Sequence, residues 1–306
     1  MSQSLGTNSA RRGFWSIVSA ATLWGTTGVT TRAIYNLNST NALSVAFMRL
    51  GIAALVLLLL CVRLLGRRVW LVKGRDRLLM LFLGTMQALF QFCYLAAIPY
   101  CGVTIATLIA LCIAPVLVVL YSAIFLRERI TLKILFALIF ALTGTIFLSS
   151  NPIEAAIPGH FFEGIVFSLI CASGYAGVIL SGQVLSRRYH SLQVNMVSFL
   201  IGALLLFCAS FTTKLVLVYS GISWLLLLYL GCIPTALAYV MFQSGMRSIP
   251  ATLTSILTLS EPLTAAILAW ILFGERLNLL GITGALLLFG TIFLLAKGQG
   301  SVSSGV

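Results

Sequence analysis

TLIALCIAPVLVVLYSAIFLRERI, from Thr107 to Ile130, and TSILTLSEPLTAAILAWILFGERL, from Thr254 to Leu277, carry one pattern 147 residues apart. In each, a proline interrupts an apolar run and a Glu-Arg pair closes it 13 positions later: Pro115 with Glu128-Arg129, and Pro262 with Glu275-Arg276. A match at long period marks an internal duplication and governs the reading of every other segment. Shorter correspondences accompany it: LLMLFLG (Leu78 to Gly84) returns as LLLLYLG (Leu225 to Gly231), and GTIFL begins at both Gly144 and Gly290.

The repeat sits in a chain of 306 residues that is 60% hydrophobic and only 8% charged, with mean hydropathy +1.10. A soluble domain carries about a quarter charged residues, so this is a polytopic membrane protein. Stretches of roughly 20 apolar residues, each able to cross about 30 Å of hydrocarbon, fall at 14–35, 41–62, 78–99, 103–126, 132–149, 161–186, 191–213, 222–246, 251–273 and 279–296. Backbone polar groups must be satisfied within such segments, so all are expected to be helices. The expected fold is therefore all-α, with ten transmembrane helices arranged as two inverted five-helix repeats around a central cavity. The first repeat covers 14–149 and the second 161–296, with an extracytoplasmic linker at 150–160 and cytoplasmic tails at 1–13 and 297–306. Five is odd, so the second copy must enter the membrane from the opposite side.

The net charge of +13 first suggests nucleic acid, but its placement excludes that partner. With a cytoplasmic N-terminus, 15 of the 19 lysines and arginines fall on the inner side, including the run RLLGRRVWLVKGRDR from Arg63 to Arg77. Both termini are then cytoplasmic by the positive-inside rule. Arg276, on the outer side, reads as the mirrored copy of Arg129. No small-residue cleavage pattern follows the first span, which is expected to be retained as a helix. The seven cysteines show no metal-ligand spacing, and no metal or cofactor is expected. Catalysis is disfavoured as well. His160 and His190 lie at span ends on opposite sides, and no HExxH pattern occurs.

Ionisable groups inside a bilayer cost about 2.5–3.5 kcal/mol or more, which singles out Arg49 and Glu261. The symmetry mate of Glu261 is Ala114, so the duplication left this carboxylate in one half. Two readings are open for each. Glu261 could hold a substrate ammonium or a proton, or it could pair with Arg49 or with the backbone freed by Pro262. Arg49 could meet a substrate carboxylate, or it could snorkel outward or pair within the bundle. Helical spacing adds polar stripes: Thr26 on helix one; Gln87, Gln91 and Tyr94 on helix three; Tyr239 on helix eight; Thr258 and Glu261 on helix nine. With Trp24 and Tyr175 they are candidates for the substrate pathway. The competing account is interhelical hydrogen bonding, worth about 0.6 kcal/mol per contact. Pro115, Glu128, Pro262 and Glu275 are gate or hinge candidates, with helix capping as the alternative for the two glutamates.

Four motifs also carry a family resemblance: LWGTTGV (Leu23 to Val29), FMRLGIAAL (Phe47 to Leu55), APVLVVLYSAIFLRER (Ala114 to Arg129) and SEPLTAAILAWILFGER (Ser260 to Arg276). Together they resemble the drug/metabolite transporter superfamily, specifically the ten-helix EamA-type carriers. Within that family the chain is most similar overall to bacterial amino-acid exporters of the YddG type, aromatic amino acids included. The resemblance implies an inner-membrane carrier that works by alternating access on a small-molecule substrate. Amino acids are the expected substrate, because one arginine, one carboxylate and several neutral donors suit a zwitterion. Multidrug or quaternary-ammonium efflux is the alternative, and an intramembrane enzyme a distant one.

Overall fold

A computed structural model describes residues 2–66, 69, 71–149, 160–211, 214–273 and 278–301. Glu275, Arg276 and most of the 150–160 linker lie outside the described residues. Among those described, secondary structure is helical throughout: α1 (Ser2–Leu37), α2 (Ala42–Leu65), α3 (Gly74–Tyr121), α4 (Leu132–Leu148), α5 (Phe161–Ser186), α6 (Ser191–Ala209), α7 (Gly221–Leu230), α8 (Ala238–Gly245), α9 (Ala251–Leu257), α10 (Ser260–Phe273) and α11 (Leu279–Ser301). Two π-helical turns, Ser122–Leu126 and Gly231–Leu237, follow α3 and join α7 to α8. Among the described residues, eight helical stretches are long and apolar enough to cross a membrane, and α4 is a shorter apolar helix. The first helix is long but rich in serine, threonine and glycine, and it buries Phe14, Ile17, Ala20, Ala21 and Trp24 in the main core. It starts at Ser2, well before the expected residue 14, because no proline interrupts the leading residues.

Helix α3 contains 48 residues, yet it reverses direction. In a straight helix Tyr94 and Thr107 would stand about 20 Å apart, but their hydroxyls are 2.8 Å apart. Cys93 and Ala110 likewise share one cluster with Cys171 of α5. The arms Gly74–Tyr94 and Ile105–Leu126 therefore stand as separate spanning stretches, as their apolar lengths predict. Helix α5 packs against both arms.

Glycines permit the closest helix contacts. A Cβ on Gly84 would lie 2.6 Å from Ile201 of α6, and one on Gly231 would lie 2.5 Å from Ile52 of α2. These two glycines are the positions matched by the sequence repeat. At the α4–α11 crossing, Gly144 and Gly284 face each other's carbonyl oxygens. A Cβ on Gly284 would stand 2.5 Å from backbone atoms of Gly144 and Leu148, and backbone cannot yield as a side-chain tip can. Gly284→Ala is expected to cost about 1–3 kcal/mol and lower the thermal unfolding midpoint in detergent. Gly290→Ala, where a Cβ meets open space, should leave the midpoint unchanged.

Away from the core, a charged cluster ties two loops together at one end of the bundle. Buried Asp76 accepts hydrogen bonds from Arg188 and from the Tyr189 hydroxyl, the latter at 2.7 Å. Arg247 donates to the carbonyls of Ser186 and Tyr189. Burial, reinforced by Arg247, pushes the His190 imidazole below its ordinary pKa. Its neutral Nδ1 accepts from Leu192 N and caps α6.

Candidate substrate site

The expected ninth span is broken into two helices, and Pro262 explains where. Proline has no N–H, so the carbonyl four residues back, that of Thr258, loses its helical partner. The helix stops at Leu257, and the chain turns through Thr258 and Leu259, where Glu261 N donates to Thr258 O at 3.0 Å. Helix α10 then restarts at Ser260 with Glu261 in its first turn, where the positive end of the helix dipole favours a carboxylate. Gly25 of α1 lets that turn approach closely: a Cβ there would lie 2.9 Å from the Glu261 carbonyl oxygen. The equivalent Pro115 behaves differently, since α3 continues through it.

Arg49 approaches the same region from α2. Its Nε donates to Thr235 Oγ1 at 2.6 Å, and that hydroxyl donates to the Leu230 carbonyl at 2.7 Å. Pro234 is the cause: the carbonyl it leaves unpaired is that of Leu230, and the π-helical turn lets Thr235 serve both groups. Arg49 lies within electrostatic reach of Tyr239, Glu261 and Tyr94. No ion pair within 4.0 Å joins Arg49 to Glu261, and the Glu261 carboxylate accepts no hydrogen bond among the described residues.

Aromatic rings surround these charges. The Trp24 ring packs 4.8 Å from Tyr239 and 5.0 Å from Phe242, Phe199 packs 5.1 Å from Tyr239, and Phe90 packs 5.0 Å from Tyr175. Gln87 Nε2 donates to the Tyr239 hydroxyl at 3.1 Å, and Asn195 Nδ2 to the Tyr239 carbonyl at 3.0 Å. Glu261 is in electrostatic reach of Tyr94, Tyr175 and Tyr239, and Thr258 neighbours Tyr175. Two buried donors in this cluster, Trp24 Nε1 and Gln91 Nε2, have no hydrogen-bond partner among the described residues. Buried polar atoms are nearly always paired, which makes this pair a candidate contact for a ligand.

Of the residues expected to serve the pathway, Trp24, Gln87, Tyr94, Tyr175, Tyr239, Thr258 and Glu261 thus share one interior cluster with Arg49, and Gln91 lies on α3 between Gln87 and Tyr94. Thr26 is placed otherwise. Its hydroxyl donates to Leu23 O and receives the Tyr229 hydroxyl at 3.0 Å, a tie between α1 and α7. Thr235, which helical spacing places on one polar stripe with Tyr239, is the residue that holds Arg49. Asn195, Phe199 and Phe242 carry no signal in the sequence that marks them for this cluster.

Glu128 does not cap the helix that follows it. Thr131 caps α4, while the Glu128 carboxylate reaches the N-terminus of α9, accepting from Ala251 N at 2.8 Å, Thr252 N at 3.0 Å and Thr252 Oγ1 at 2.6 Å. Pro250 precedes α9 and supplies no side-chain cap, so those amides depend on a distant group. Arg127, in the left-handed region at φ 53°, ends the π-helical turn immediately before Glu128.

The model of the EamA-like transporter family matches residues 11–150 and again residues 162–297. The chain belongs to the EamA-like transporter family. This EamA-like transporter is 31% identical over 92% of its length to an uncharacterized transporter of Archaeoglobus fulgidus, of which 96% is covered. It is 28% identical over 94% of its length to the uncharacterized inner membrane transporter YicL of Salmonella typhimurium, again covering 96% of that relative. A pseudopaline exporter of Pseudomonas aeruginosa, CntI, is 25% identical over 84% of this chain and 86% of its own. One solved crystal structure superposes with a TM-score of 0.80 over 97% of this transporter and 99% of that chain; at 19% identity it speaks for the fold. The protein is thus a multi-pass membrane transporter of the drug/metabolite transporter superfamily acting on a small-molecule substrate.

Proposed function

We propose that this transporter is a secondary carrier exporting amino acids, aromatic ones included, across the bacterial inner membrane by alternating access. The observation that carries the proposal is the relation of Arg49 to Glu261: a guanidinium and a carboxyl group in the interior, within electrostatic reach of one another yet not ion-paired. A structural pair would close to hydrogen-bond distance to offset its desolvation. A zwitterion between the two charges satisfies both. The aromatic rings around them suit an apolar or aromatic side chain. Export is supported by the relative named as an exporter, and the inner membrane by the one named as an inner membrane transporter.

Ten spans in two inverted halves, 14–149 and 161–296 joined at 150–160, supply the frame for the cycle. The double family match and the matched glycine contacts at Gly84 and Gly231 support this arrangement. The arginine-rich end and both termini are then cytoplasmic. In this frame the break before Pro262 is a hinge and the Glu128 contact with α9 a cytoplasmic gate; Pro115 and Glu275 are their counterparts by sequence.

Reconstitution into liposomes tests the proposal. Saturable uptake of labelled amino acids, competed by other amino acids and measured with and without a proton gradient, is expected. Movement of quaternary-ammonium dyes with no amino-acid movement would overturn the substrate and favour the efflux alternative, which Glu261 within an aromatic cluster could also serve.

A further inference from the structure

The unpartnered groups are unequal in kind, and that inequality assigns an orientation to the ligand. Trp24 Nε1 can only donate, and Gln91 presents its Nε2 amide nitrogen. The terminal nitrogens of Arg49 have no hydrogen-bond partner among the described residues, since only Nε is engaged, with Thr235. Trp24 and Gln91 are 4% and 6% exposed, so bulk water does not satisfy them. Tyr239 connects the set. Its ring packs on Trp24, its hydroxyl holds Gln87 one helical turn from Gln91, and it lies within electrostatic reach of Arg49. Leaving a buried donor unpaired is destabilising, and an apolar ring at position 24 would avoid that cost. On the acceptor side stands one charged group, the Glu261 carboxylate.

We infer that Arg49, Trp24 and Gln91 form a carboxylate-binding pole, with Glu261 as the opposing pole for a cation. This deepens the proposed function and rests on it. The ligand class is an α-amino acid held lengthwise between the poles. A cation without a carboxylate leaves the donors unpaired, and a carboxylate without a cation leaves Glu261 unpaired.

Three probes of one shape separate the poles: phenylalanine, phenylethylamine, which lacks the carboxylate, and phenylpropionate, which lacks the ammonium. Binding is read from thermal stabilisation of the purified full-length protein, and transport from competition in proteoliposomes. Phenylalanine is expected to bind at least about tenfold more tightly than phenylethylamine. The gap should shrink in Trp24→Phe and Gln91→Leu, which keep apolar bulk and remove the N–H groups. Gln91→Glu, of nearly unchanged shape, should abolish phenylpropionate binding and improve that of phenylethylamine, so a folding defect is told apart from a lost donor. Wild-type discrimination in these variants, or equal binding of phenylalanine and phenylethylamine, would overturn the assignment, as would failure of all three probes to stabilise the protein. If no amino acid is transported but phenylpropionate still stabilises the wild type and not Gln91→Glu, the carboxylate pole stands and the amino-acid reading falls.

Discussion

Glu261→Gln is expected to reduce saturable amino-acid transport by about 10- to 100-fold, the range for losing one hydrogen bond to a charged group. The substitution keeps the shape of the side chain and removes its charge. The Glu261 carboxylate has no hydrogen-bond partner among the described residues, so thermal stability should hold or rise slightly while transport falls. Those two readouts separate the competing roles. A structural Glu261 would cost stability when neutralised and leave the transport rate of surviving protein near wild type; that pattern would remove Glu261 from the substrate site. Glu261→Asp should recover part of the transport, because the charge is kept and only its reach is shortened.

Glu128→Ala is expected to be the more damaging to stability. Three hydrogen bonds to one carboxylate are lost, and two are from backbone amides at the start of α9 that have no other cap. Caps are worth about 1 kcal/mol and charged hydrogen bonds more, so a loss of about 2–4 kcal/mol follows. Glu128→Gln should lie between, since an amide offers one accepting oxygen where the carboxylate offers two. Thr131→Ala, which removes the separate cap of α4, provides a comparison of about 1 kcal/mol. The gate role has its own measurement. A cysteine placed at buried Ser255 should react faster with a membrane-impermeant thiol reagent in the Glu128→Ala background. Unchanged reactivity would leave Glu128 a cap and nothing more.

The contrast between these two glutamates shows how far sequence reasoning reaches. Glu261 stood out because a charge in an apolar run is conspicuous wherever it points. Glu128 stood out only as part of a repeated pair, and its partner, the start of α9, lies 123 residues away and carries no motif of its own. Arg49 was visible for the same reason as Glu261, but its anchor was not. The Thr235 hydroxyl turns toward Arg49 because Pro234 frees the Leu230 carbonyl, and that needs two helices in contact. Thr26 shows the converse: its spacing put it in a polar stripe, and a tyrosine of α7 claimed its hydroxyl. The unequal breaks at Pro115 and Pro262 were likewise hidden by identical spacing, since a missing N–H states where a helix can break and surrounding packing decides whether it does.

The membrane class, the repeat period of 147 residues and the two intramembrane charges were all legible in the linear sequence, because hydrophobic length, periodicity and isolated charge are local properties. Tertiary structure alone decided that Glu128 holds α9, that Thr235 holds Arg49, and that Trp24 and Gln91 keep unpaired donors among the described residues. Each of those is a relation between helices distant in the chain. Whether a buried polar group is satisfied depends on which neighbour packing delivers to within hydrogen-bond distance.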